Sequence, residues 1–294
     1  MEISGSSEAV KNYRYFVAIY RCHVVTAPPF VIVCDEVKVE YFKEERTYFP
    51  SEYRPIVVAA VLHAEYRLPV HAPVGLDANS HHIVLSWRTR RKRSEAQADA
   101  EAATDRVVAL LAATCSPELF RNLVFRGWLR GPSSSDLGAL LRFTDPIRVE
   151  AKALQRAYEA SSTTIGRNHA LRDRFALMSR FVAKGLAEPP GEEAFIWLWT
   201  ALEVFPMVNT TDIRPIHDFL ESYVGRPSAI VKEKLKVGWL FGMRSRIVHD
   251  GHMPLDRDGR FSALATLERL VQAVLRHAAG LPYDGKLEFA FNRQ

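Results

Sequence analysis

The chain has 294 residues, 48% hydrophobic and 25% charged, with a formal net charge of +5. These proportions exclude a mainly disordered chain, a collagen-like fibre and a coiled-coil rod, and the length allows two domains of about 100–200 residues each. Apolar runs such as Ile56–Leu62 fall well short of the ~18–20 residues that span a bilayer, so no membrane association is expected. No signal-peptide pattern opens the chain. The cysteines Cys22, Cys34 and Cys115 are odd in number and lack metal-type spacing, which favours a reducing, cytoplasmic setting. Residues 1–150 carry 19 Lys and Arg against 18 Asp and Glu, and residues 151–294 carry 20 against 16. That mild excess helps a polyanion approach without identifying one.

The first half reads as strands. Tyr13–Tyr20, Phe30–Cys34, Val37–Phe42, Ile56–Leu62 and Ile83–Trp87 are short runs rich in Val, Ile, Tyr and Phe, punctuated by prolines at 28, 29, 50, 55 and 69. Arg88–Arg93 holds five basic residues in six positions, which suits a solvated turn after an edge strand or a phosphate-contact patch. A helix is predicted next, with Ser94 and Gln97 as a capping box and Ala96, Ala100, Ala103, Val107, Leu110 and Leu111 at helical spacing. Residues 117–129 are apolar and ambiguous, and Gly131–Ser135 has loop composition. The first 145 residues therefore form a strand-rich α+β domain with one principal helix.

From Asp145 the pattern is helical, and the second domain is residues 146–294. Helices are expected near 146–161, 169–186, 191–206, 212–224, 227–249 and 261–279. They are broken by Gly166, Pro189-Pro190, Pro206, Gly225 with Pro227, and Asp250-Gly251. Short connections imply antiparallel packing in a bundle.

Chemistry concentrates in Val237–Gly251. Val237, Leu240, Phe241, Arg244 and Val248 fall on one helical stripe, which sets Arg244 among apolar residues. A guanidinium there keeps its charge and needs an anionic partner or ligand. Arg246 lies on another face, grouped with Met243 and Asp250. His249 follows Arg244 by five residues, about 140° around an ideal helix, so the two diverge unless the turn before Gly251 frays or tightens. The run Phe195–Phe205 is apolar almost all round, with Glu203 its one carboxylate. Arg244 is the natural cation for it, since the guanidinium fork grips a carboxylate with two hydrogen bonds. A structural Glu–Arg pair and a capping His are the ordinary alternatives.

The segment Phe195-Ile196-Trp197-Leu198-Trp199-Thr200-Ala201-Leu202-Glu203, with Met243-Arg244-Ser245-Arg246-Ile247-Val248-His249-Asp250-Gly251 some forty residues on, resembles the HEPN superfamily, especially its Apea-like branch. That superfamily is defined by Arg, four to six residues, then His, at the end of a helix in a small helical bundle. Arg244 and His249 fit with four residues between, and Ser245 holds a position where the family often has a small polar residue. The resemblance covers about residues 169–282. Asp250 is a departure, since many Apea-like members have Gly there.

The resemblance implies a metal-independent endoribonuclease, in antiviral defence or a toxin–antitoxin system with an antitoxin or trigger protein as partner. It also allows a non-catalytic RNA- or protein-binding module. In the catalytic reading His249 moves the proton of a 2′-hydroxyl or of the leaving 5′-oxygen, Arg244 holds the phosphate, Ser245 adds a hydrogen bond and Glu203 orients the arginine. The family's paired domains imply a homodimer that supplies the second His. No cofactor is expected, since glycine-rich phosphate loops and a nucleophile elbow are absent. His249 and His252 with Asp256 and Asp258 make no recognised metal set. His81-His82 suits the surface, and helical spacing assigns Trp197, Trp199 and Trp239 to the core rather than to base stacking.

Overall fold

The computed structural model describes residues 13–22, 30–43, 81–128, 133–134, 147–208 and 210–288. The expected strand Ile56–Leu62, the punctuating prolines of the first half, Gly131-Pro132, Ser135 and Pro146 lie outside them. The described architecture is α+β: an antiparallel sheet from the first half and a helical second half. Six strands pair in the order β2-β3-β4-β1-β5-β6. They are β1 (Arg14–Cys22), β2 (Phe30–Cys34), β3 (Val37–Lys43), β4 (His81–Thr89), β5 (Asn122–Trp128) and β6 (Ser133–Ser134). The ambiguous stretch thus supplies a strand, preceded by a short 3-10 turn over Pro117–Phe120.

β1 lies between β4 and β5, and its residues Phe16–Tyr20 are all buried. Two buried faces explain why that segment reads as a continuous apolar run rather than an alternation. β2 is an edge strand. There the side-chain amide of Gln155 imitates a neighbouring strand: Oε1 accepts from Val33 N–H at 3.0 Å, and Nε2 donates to Val33 C=O at 2.7 Å. In the turn between β2 and β3, Asp35 accepts from the Tyr158 hydroxyl at 2.7 Å and from Ser162 at 3.2 Å.

Eight α-helices are described: α1 (Arg93–Thr114), α2 (Ala151–Gly166), α3 (His169–Ala187), α4 (Glu192–Val204), α5 (Arg214–Val224), α6 (Ser228–Leu235), α7 (Val237–Asp250) and α8 (Arg257–Ala278). α1 starts earlier than the capping box requires. Lys92 is its N-cap residue without a side-chain bond, and Gln97 is occupied by Trp128 Nε1, which donates to it at 2.6 Å. The single helix expected over 227–249 is two, because Lys236 adopts a left-handed conformation (φ 52°). Leu235 and Val237 are both fully buried, and in an unbroken helix they would point about 200° apart. The kink turns both inward.

α1 lies between the sheet and the helices α3 and α8, and one apolar cluster runs through all of them. The carbonyls at its C-terminal end have no partners within the helix, and the second half satisfies them. Gln272 Nε2 donates to Ala112 C=O at 3.1 Å, and Arg276 donates to Ala113 C=O at 2.8 Å. Beside them Arg121 grips Glu268, 3% exposed, through two nitrogens at 2.9 and 2.5 Å. No helix among the described residues is long and apolar enough to cross a membrane.

Removing Arg121 takes from the buried Glu268 the cation that grips it through two nitrogens, and from Glu118 the guanidinium at 3.5 Å. Arg121→Met is expected to cost about 3–5 kcal/mol, read from the urea midpoint, and Arg121→Met with Glu268→Leu to recover most of it.

Candidate functional site

α7 carries the residues singled out in the sequence. Its buried row is Val237, Leu240, Met243 and Ile247, a rotation from the expected stripe. Met243 therefore faces the core instead of accompanying the exposed Arg246, Val248 is 52% exposed, and Arg244 and Ser245 sit half-buried on the flanks. The helix stays regular through Asp250. Gly251 ends it with φ 76°, and its N–H bonds to the Ile247 carbonyl at 3.1 Å. That cap satisfies the last turn, so nothing tightens it, and the loosened end that would swing His249 toward Arg244 does not form. Within one chain the exposed His249 and Arg244 leave the helix about 140° apart.

The expected Glu203–Arg244 ion pair is absent. α4 and α7 run antiparallel, pinned at one end by Met253 N–H, which donates to Glu192 Oε1 at 2.9 Å, and midway by Trp199 against Phe241, ring centroids 6.0 Å apart. Glu203 instead accepts from Trp199 Nε1 at 2.5 Å. Among the described residues Arg244 has no hydrogen-bond or ion-pair partner, and no bond joins Asp250 to His249. A half-buried guanidinium without a counter-ion is a ready anion acceptor.

The tryptophans divide. Trp199 is fully buried; Trp197 is half-buried, stacked on Phe181 at 5.7 Å with Lys184 Nζ 4.5 Å from its ring centroid. Trp239 is 46% exposed and shares the solvent side of α7 with Gly242, Arg246 and His249. A Cβ at Gly238 or Gly242 would meet nothing within 4 Å. Glycine inside a helix costs about 1 kcal/mol relative to alanine, and nothing in this chain's packing requires it at either place. The bare backbone beside Trp239 is legible in the sequence as glycines four residues apart on the side opposite the buried row.

Asp256 caps α8 by accepting from Gly259 N–H at 2.8 Å, and among the described residues no three His, Cys, Asp or Glu gather as a metal site. His82 is not at the surface: β4 begins at His81, and His82 is 1% exposed. No disulfide joins the three cysteines, and burial pushes their thiols up, Cys115 to about 11.

The loop after α7 is held by Glu192. Besides Met253 N–H it has Arg260 NH1 at 3.4 Å, and Arg260 also donates to the carbonyls of Leu255 and Met253. The Met253 bond, aided by the charges of Arg260 and His252, draws the Glu192 carboxyl below its usual range. The stabilisation from a lowered carboxyl is present above the ordinary glutamate range and lost as pH falls through it. The stability difference between wild type and Glu192→Gln should thus be present at pH 7 and shrink below about pH 4, by urea unfolding across pH. No family model, curated protein or solved structure compared with the chain matches it.

Proposed function

We propose that the helical half is a HEPN-type, metal-independent endoribonuclease that works as a homodimer. The observation that carries this reading is Arg244: half-buried, without a counter-ion among the described residues, and on the same helix as the exposed His249. The guanidinium receives a phosphate of RNA and stabilises charge on its oxygens, and the half-buried Ser245 adds a hydrogen bond. One His249 takes the proton of the 2′-hydroxyl, whose oxygen attacks the adjacent phosphorus. As the bond to the 5′-oxygen breaks, a second His249 returns a proton to it, leaving a 2′,3′-cyclic phosphate and a 5′-hydroxyl. Because the two groups diverge around one helix, a complete site needs a second copy. The open solvent side of α7, with its bare glycines, suits a close approach of that copy. Glu203 belongs to the support of Trp199 rather than to the reacting groups. The setting that goes with this chemistry is cytoplasmic defence or a toxin–antitoxin pair, with a trigger protein or antitoxin controlling the enzyme.

A second reading, a non-catalytic module that holds RNA or a protein, is favoured by the same divergence of Arg244 and His249. Purified protein incubated with total RNA in EDTA separates the two. Cleavage is expected, with Arg244→Ala and His249→Ala each at least 100-fold slower at unchanged far-UV circular dichroism. Cleavage that survives both substitutions rejects the site. Binding that survives both, with no cleavage of any RNA, selects the module.

A further inference from the structure

The basic run after β4 is not an ordinary solvated turn. β1 and β4 pair so that Arg14 faces Thr89 and Tyr15 faces Arg88; continued one step, the register sets Tyr13 against Arg90. The guanidiniums of Arg88 and Arg90 accordingly both sit over the Tyr13 ring, 5.2 and 4.7 Å from its centroid. Arg14 donates to the carbonyls of Arg90 (2.9 Å) and Arg91 (2.7 Å), fixing the chain as it leaves the strand. Arg91 N–H bonds to Thr89 Oγ1 at 3.1 Å, and α1 starts at Arg93. Arg88, Arg90, Arg91 and Lys92 are exposed.

The cluster therefore crowds cations at the positive end of a helix dipole, where like charge is disfavoured. The carboxylates that reach it among the described residues compensate only partly: Asp99 pairs with Arg91 at 2.6 Å, Glu95 lies 4.0 Å from Lys92, and Glu36 accepts from Trp87 Nε1 near Arg91. A local rule broken without a gain inside the chain marks a surface kept for something else. Two arginines held over one ring are pre-organised, and their planar forks match phosphate oxygens. A lipid surface would call for apolar side chains to insert beside the charges, and none of the exposed large hydrophobics lies in these segments.

We infer that Arg88, at the end of β4, and Arg90, Arg91 and Lys92, in the turn into α1, bind the phosphate backbone of RNA. The geometry gives the phosphate preference; the choice of RNA rests on the proposed ribonuclease reading. The test uses the full chain and a fluorescein-labelled 16-nucleotide 2′-O-methyl RNA, which attack by a 2′-hydroxyl cannot cleave, with anisotropy read over a salt series. Arg88→Gln with Arg90→Gln is expected to weaken binding at least tenfold and to reduce the slope of log affinity against log salt by about 1.4, the value for two lost single-strand contacts. Asp99→Asn, which frees the exposed Arg91, is expected to tighten binding two- to threefold, a gain that misfolding does not produce. Unchanged affinity and slope in the double variant overturn the inference, as does failure of Asp99→Asn to tighten binding. Tighter, Arg88- and Arg90-dependent binding to phosphatidylserine vesicles than to RNA overturns the choice of partner. Patch-dependent binding by a protein that cuts no RNA leaves this inference standing and removes the ribonuclease; cleavage with a silent patch does the reverse.

Discussion

The structure depends on burying α1 on two sides at once. Covered by the sheet on one side and by α3 and α8 on another, its C-terminal half has no polar face, which is why Val107, Val108, Ala109, Leu110, Leu111, Ala112 and Ala113 are all buried. Its last carbonyls are also withdrawn from water and must find donors elsewhere. Gln272 and Arg276 on α8 provide them, from more than 150 residues away in the chain. The helical half thus completes the end of a helix that comes from the first half, and the cation at its C-terminal end also suits the dipole.

The elements legible in the sequence were those with a strong local signal. β2 matches its apolar run, and α3 and α4 fall between the expected breaks at Gly166, Pro189-Pro190 and Pro206. What the sequence hid was set by tertiary contacts. Lys236 bends the chain without glycine or proline, because two fully buried neighbours two residues apart demand it. Gln97 looks like half of a capping box but is claimed by an indole on β5, and the segment containing that indole looked too uniformly apolar to assign.

The candidate site divides in the same way. Arg244 and His249 on one helix end, and the glycine stop after them, could be read from spacing, whereas Ser245 was singled out by the family resemblance. The row that α7 buries could not, since a rotation that moves Met243 inward and Val248 outward depends on what α4 presents. Glu203 was assigned to Arg244 by charge complementarity, an argument blind to register. The indole of Trp199, one turn back on the same helix, holds that carboxylate instead.

The amide of Gln155 on the β2 edge has a consequence for assembly. Val33 faces outward from that strand, and by alternation Val31 is the next residue that does so. With Val33 already engaged, a foreign strand finds within Phe30–Cys34 a single outward residue to pair with. Val31 and Val33 are more than half exposed, the kind of apolar border on which fibrils are seeded, yet the template is interrupted at its middle. Copies of this chain are steered away from polymerising at that border.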